Sequence, residues 1–298
     1  ERYKNKHLQD LEVDYYVTSI SDYKIVTIEV AESRIKNLIR QNKALFAKGR
    51  EFEDVDAKEI ATCLGLYDLF KNHPAKRAIS FHSSIKRAEA FQGLSEFLNK
   101  IIKKTPEIDH YNVSSKVSSG KRSRTIKHFA ESKRSLITNA RCLTEGVDVP
   151  AVDIVVFADP KYSTTDIVQA SGRALRLHKG KKSGYLLLPI IVPANKDFTE
   201  YVETTDFSYI SKIITALSLQ DRRIVDQFKL YEKRNKRKWP SGPLMLGMQD
   251  ELIKHKIDIE EWQEKVLSKI WSNVGKANWR PFKEARSFVR ALKLKSEK

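Results

Sequence analysis

Between Ala75 and Pro193, short and almost uninterrupted apolar runs alternate with segments of helical periodicity, and this alternation is what most limits the fold. The runs are Ala78-Ile79-Ser80-Phe81, Ser135-Leu136-Ile137-Thr138, Asp153-Ile154-Val155-Val156-Phe157 and Gly184-Tyr185-Leu186-Leu187-Leu188-Pro189-Ile190. A strand with one wet face alternates polar and apolar residues. These do not alternate, so both of their faces are expected to be covered. After Ser83-Ser84, a good N-cap, the apolar positions Ile85, Ala88, Phe91, Leu94, Phe97, Leu98, Ile101 and Ile102 trace one buried helix face. A turn at Ser118-Ser119-Gly120 precedes a basic helix from Lys121 to Ser132, with Ile126, Phe129 and Ala130 inward, and a further helix spans Thr164 to Leu177. Strand, helix, strand in repetition predicts a parallel sheet with helices on both faces, an α/β fold of roughly 120 residues.

The flanks read differently. Residues 1–70 combine a β-rich stretch, Tyr23 to Val30, with a charged helical stretch after Ala31, expected as the end of an upstream unit, a linker and an entering helix. Residues 71–195 are the expected α/β domain and 196–298 a basic helical extension. In that extension, Ile210, Ile213, Ile214, Leu217, Leu219, Ile224 and Phe228 keep helical spacing, before a Pro-Ser-Gly-Pro break at 240–243. At 298 residues the chain has room for two domains, and its opening at Glu1 rather than Met suggests a piece of a longer protein.

Charge narrows the partner. Lys and Arg total 55 against 38 Asp and Glu, a formal charge of +17, which favours a polyanion and above all nucleic acid. Basic residues gather at Lys121–Arg134, Lys179–Lys182 and Lys233–Lys238, the last beside Trp239. No apolar run reaches the ~20 residues of a membrane span. Cys63 and Cys142 form no Cys-x-x-Cys pair, which excludes a disulfide scaffold or cysteine zinc site and suits a reducing cytosol. The seven His have no metal-site spacing, so His82 and His128 are expected to be ordinary polar or helix-surface residues. No Gly-x-Ser-x-Gly elbow is present. Asp56-Ala57-Lys58 has the end of a nuclease pattern without its upstream Pro-Asp, and chance explains it.

Two segments carry chemistry. Thr144-Glu145-Gly146-Val147-Asp148-Val149-Pro150 follows a strand, and Gln169-Ala170-Ser171-Gly172-Arg173-Ala174-Leu175-Arg176 lies on a helix. Arg173 and Arg176 are three apart, so both planar guanidiniums project from one helix face, as a polyphosphate requires. Two solvated arginines on an exposed helix share that spacing. In order along the chain, Phe81-His82-Ser83-Ser84, Ser119-Gly120, Thr138 to Pro150 and the Gln169–Arg176 string resemble the motifs of the second RecA-like domain of superfamily 2 helicases and translocases, over roughly residues 75–193. Asn139-Ala140-Arg141-Cys142-Leu143 and Gly180-Lys181-Lys182 are similar to restriction-type translocases and large bacterial or phage DNA helicases. Ala170 stands where the RNA-helicase pattern has Arg, which weighs toward DNA over RNA.

That resemblance implies one half of an ATP-dependent motor. It makes Arg173 and Arg176 arginine fingers on nucleotide phosphates and places Gln169, Gly146, Asp148 and Gly172 around the nucleotide. It puts Ser83, Ser84, Gly120, Lys121, Arg122, Thr138 and Thr144 on the nucleic-acid backbone. On the residues alone, Asp148 serves equally as a turn cap before Pro150, and Ser83 and Ser84 as helix caps. The sequence has no Gly-x-x-x-x-Gly-Lys-Ser/Thr loop and no Asp-Glu-x-His or Asp-Glu-x-Asp string. ATP and Mg²⁺ are therefore expected mainly on a first motor domain, and this chain alone is expected to be inactive as an ATPase, with no metal site of its own. The implied partners are DNA and that upstream RecA-like domain, in the cytoplasm or nucleoid of a bacterium or phage host, with no membrane. A non-enzymatic nucleic-acid-binding module and the translocase part of a restriction enzyme are the alternatives. Trp279-Arg280-Pro281-Phe282-Lys283-Glu284-Ala285-Arg286 resembles a short repeat of phage-type integrases and some large helicases, and suits a small DNA-binding or docking helix.

Overall fold

A computed structural model of the chain describes residues 22–42, 57–102, 105–140, 152–158, 163–175, 181, 183–192, 205–234, 239–245, 259–279 and 281–291. Among these residues seven strands form one sheet in the order β3-β4-β2-β5-β6-β1-β7, every pairing parallel. They are β1 (Asp22–Ala31), β2 (Arg77–Phe81), β3 (Asp109–Val113), β4 (Ser135–Asn139), β5 (Ile154–Phe157), β6 (Ser183–Val192) and β7 (Leu244–Met245). The described helices are α1 (Glu32–Gln41), α2 (Ala57–Asn72), α3 (Ile85–Ile101), α4 (Ser119–Glu131), α5 (Thr164–Leu175), α6 (Thr205–Ser218), α7 (Arg222–Lys233), α8 (Ile259–Ala277) and α9 (Phe282–Ala291).

Strand parity builds two cores. Tyr23, Ile25, Ile79, Phe81, Val155, Phe157, Leu186 and Leu188 face one side, where Phe129 of α4, Ile167 of α5 and the apolar stripes of α6, α7 and α8 cover them. Val26, Ile28, Ala78, Ile154, Val156 and Leu187 face the other, under α1, α2 and α3. Helix α3 shows how locally the sequence decides this. The Ser84 side chain caps it by accepting from the Arg87 N–H, and Ala88, Phe91, Leu94 and Leu98 are buried on its inner face.

The sheet crosses both boundaries expected near residues 70 and 195. β1 pairs with β6 along all ten residues, and β7 lies on its other side, so the stretch expected to end an upstream unit is a strand of this sheet. Likewise α6, α7 and α8 are not an appendage but the lid of one core. Periodicity reported that these segments are amphipathic, not what they bury against. Pro189 sits inside β6 at little cost. Tyr185 N donates to Asp153 O, so Leu187 and Pro189, of the same parity, also face β5; pairing to β5 stops at Leu187, leaving no ladder bond for Pro189 to lose.

Polar pins fix the edges. The Asp153 carboxylate accepts from Lys76 N (2.9 Å) and Arg77 N (3.1 Å), and Lys181 Nζ donates to Val152 O (2.7 Å), all at the amino ends of the strands. Burial lowers the Lys181 pKa, which nearby Asp153 partly offsets. Lys181 thus leaves the expected Lys179–Lys182 cluster for a structural post. At the same end, Tyr23 donates to Asp221 Oδ2 (2.7 Å) and Arg223 grips the same carboxylate (Nη2 to Oδ2, 2.7 Å). Burial alone would raise Asp221, but the hydrogen bonds from Arg223 and Tyr23 outweigh it and hold the group below its ordinary value. A carboxyl depressed in the folded state contributes stability above its unfolded pKa, about 4, and loses it as pH falls through the lower folded value. The melting-temperature gap between wild type and Asp221→Asn is therefore expected to narrow from pH 5 to pH 3; a constant gap would refute this coupling.

Candidate functional site

Because all strands are parallel, Phe81, Val113, Asn139 and Phe157 end on the same edge of the sheet. From β2 the chain goes out to the sheet edge at β3, returns to β4 beside β2, then crosses to β5 and β6 on the other side. The order reverses at β2, and in open α/β sheets ligands bind beyond the carboxyl ends at such a switch. Ser83 and Ser84 follow β2 there, the N-terminus of α4 follows β3, and α5 follows β5.

Helix α5 is set firmly. Ser163 Oγ accepts from Asp166 N (3.1 Å) and donates to Asp166 Oδ2 (2.8 Å), which also accepts from Ser163 N (3.1 Å), a reciprocal capping box. Ile167, Ala170 and Ser171 face the core while Gln169 is exposed and Gly172 half-buried. Position 173 lies one turn beyond Gln169. The Arg173 side chain, and Arg176 with Thr144, Gly146 and Asp148, fall outside the described residues. Ala170 is fully buried, so this helix has no room for a longer side chain at that position without reopening the core.

On the α4 side, Gly120 lies in the first helical turn rather than in a turn before it, and a Cβ there would meet open space. Ser118 caps this helix without a side-chain hydrogen bond, and the first turn carries no acidic residue but does carry Lys121 and Arg122. Cations at the positive end of a helix dipole are unfavourable in a bare helix and become favourable once an anion sits on the open N–H groups. Lys121 is exposed, with Arg124 and His128 following on the same exposed face at three- and four-residue steps. Arg122 is half-buried, Nη2 donating to Val117 O (3.2 Å), and among the described residues its Nε has no hydrogen-bond partner. Ser84 is exposed; its hydroxyl accepts from Arg87 N, which leaves its own proton to donate outward.

One expectation is corrected here. Thr138 does not reach the surface: it is 0% exposed, accepts from Asn112 Nδ2 (2.7 Å) and donates to Tyr111 O (3.4 Å). Its parity turns it under α3, so it fixes the end of β4 against β3. His82, expected to be an ordinary polar or helix-surface residue, is a buried polar one: it is 2% exposed, with Nε2 3.0 Å from Ser80 Oγ and its ring against Phe91. Asn112, Thr138 and Ser80 occupy one cross-strand row, a polar seam just beneath the site that is buried at Thr138 and Ser80 and half-buried at Asn112. Sequence reading missed Asn112 and Ser80; polar residues at matching depth in neighbouring strands are the signal, visible only with the register. Among the described residues no group of three or more His, Cys, Asp or Glu could hold a metal, and no helix is long and apolar enough to cross a membrane.

Residues 60–178 match the model of the helicase conserved C-terminal domain. An ATP-dependent RNA helicase of Scheffersomyces stipitis is 26% identical over 170 residues, covering 57% of this chain and 28% of that protein. A probable helicase of African swine fever virus is 35% identical over 104 residues, covering 35% of this chain and 12% of that protein. The chain thus spans little more than a quarter, or less, of the length of these relatives. Among solved structures, an ATP-dependent Type ISP restriction-modification enzyme bound to DNA superposes with a TM-score of 0.71 at 22% identity, over 87% of this chain and 18% of that one. At that identity the likeness speaks for the fold, including the strands and helices outside the matched family segment. The sheet, its switch point and the matched segment agree: residues 60–178 match a helicase C-terminal domain, within a sheet that is RecA-like in fold.

Proposed function

We propose that the chain is the second motor domain of an ATP-dependent DNA helicase or translocase, supplying arginine fingers to ATP and a backbone track to DNA. The observation that carries the track is the uncapped, cation-bearing first turn of α4 on the switch-point edge, an arrangement that phosphate stabilises. In this reading Ser84, Gly120, Lys121 and Arg122 hold phosphates through hydroxyl, amide and cationic donors, which position a strand without reading its sequence. Ser83, half-buried beside Ser84, and Thr144 belong to the same track. Gln169, Gly146, Asp148 and Gly172 flank the nucleotide, with Arg173 and Arg176 on its phosphates.

ATP with Mg²⁺ sits mainly on another RecA-like domain in this reading, and the metal neutralises charge on the transferring phosphoryl group. What this chain contributes is charge and position. DNA rather than RNA is favoured by buried Ala170 and by the fold shared with an enzyme bound to DNA; the RNA-helicase relatives keep RNA in the test. The same reading places the protein with nucleic acid in a reducing cytosol.

The test compares ATP turnover by the intact protein with single-stranded DNA, with RNA and with neither. DNA-stimulated turnover is expected, together with none by the isolated chain; stimulation by RNA alone would overturn the DNA assignment. Lys121→Glu is expected to raise the half-saturating DNA concentration about fivefold or more, as loss of a phosphate contact plus repulsion. An unchanged value would remove α4 from the track.

A further inference from the structure

Among the described helices α9 alone buries no residue. Trp279, just ahead of it, is 70% exposed and Phe282 is 78% exposed, with Phe288 and Val289 exposed as well. Phe282, Arg286 and Arg290 recur at four-residue steps, forming one row along the helix with about 6 Å of rise between members. Lys283 borders that row. Among the described residues, no side-chain partner holds Lys283, Arg286 or Arg290. Three cations against the single acid Glu284 repel a second copy of the same face, and a purely apolar groove leaves them without counter-charge.

We propose that Trp279 to Arg290 is a second contact for single-stranded nucleic acid. The exposed rings of Trp279 and Phe282 stack on unpaired bases, and Arg286 and Arg290 pair with phosphates of the same strand. This rests on the reading that the chain binds nucleic acid, but not on the motor assignment. The contact lies on a helix outside both sheet cores, so it adds to the track at the strand ends rather than repeating it.

The test is binding of a fluorescently labelled oligothymidylate to the chain, by anisotropy over a series of salt concentrations. Trp279→Ala with Phe282→Ala is expected to weaken binding about fivefold or more with an unchanged salt slope, since stacking is lost and no charge is removed. Arg286→Gln with Arg290→Gln is expected to weaken binding and to flatten the slope of log K against log salt by about 1.4, from roughly 0.7 for each phosphate contact on a single strand. These side chains lie outside the core, so circular dichroism and melting temperature are expected to match wild type. Both α9 variants binding as wild type while Lys121→Glu is impaired would overturn the α9 contact and leave the track standing. The converse pattern would keep α9 and overturn the track. Equal competition by a blunt duplex would also overturn the stacking contact.

Discussion

Replacing Arg173 or Arg176 by alanine in the intact protein is expected to cut ATP turnover by about 10³-fold or more, the scale on which arginine fingers act. The expectation rests on position. A capping box starts α5 at Ser163, and buried Ile167 and Ala170 fix its rotation, leaving Gln169 exposed and position 173 one turn further on. An arginine presented from a helix locked in this way meets a phosphate with little reorganisation, which is where electrostatic stabilisation acts most strongly. Lysine is not a rescue: a point ammonium cannot reproduce the planar fork, so Arg173→Lys is expected to recover only a small part of the loss. Buried Ile167, Ala170 and Ser171 are unchanged in either variant, so folding and ATP-independent DNA binding are expected to persist. Wild-type turnover in both alanine variants would sink the assignment.

The second large effect concerns Gly242 and Gln227. The buried Gln227 amide donates to Pro240 O (2.8 Å) and Leu244 O (2.8 Å) and accepts from Leu244 N (3.0 Å), holding the short edge strand β7 against β1. A Cβ on Gly242 would collide with that amide, 2.9 Å from Nε2 and closer still to its other two atoms. The amide cannot step aside without breaking all three bonds. Gln227→Ala is expected to cost about 2–5 kcal/mol, because the Leu244 N–H and the Pro240 carbonyl are left buried without partners. Gly242→Ala alone is expected to cost about 1–3 kcal/mol by overpacking. In the Gln227→Ala background the same change is expected to be almost free, within about 0.5 kcal/mol, since the clash partner is gone. Urea unfolding of wild type and the three variants measures this, and strict additivity would refute the steric account.

The sequence was most readable where chemistry is local. Strands β2, β4, β5 and β6 announce themselves because a strand covered on both faces lacks the alternation of polar and apolar residues, and the cap of α3 is written in Ser84. Strand β3, Asp-His-Tyr-Asn-Val, went unread because an edge strand with four partly wet positions has no apolar run. β1 was visible as β-rich but its partner was not, because nothing near Tyr23 in the chain marks β6 as its neighbour. At the site, the order of motifs fixed which strand ends matter. It did not say which hydroxyl faces out. Thr138 and Ser84 look alike as letters, yet strand parity sends one beneath α3 while a helix start leaves the other at the surface.

The late partner of β1 has a consequence during synthesis. Roughly 150 residues separate the end of β1 from the start of β6, and at 5–20 residues per second a ribosome needs about 8 to 30 seconds to supply them. For that interval Ile25, Val26, Ile28 and Val30 form a sticky ribbon with no native place to pair, the kind of segment that holding chaperones recognise. A gene fragment begun near residue 70 would escape that wait, but its product would expose the full length of β6 as a raw edge, open to association with its own copies.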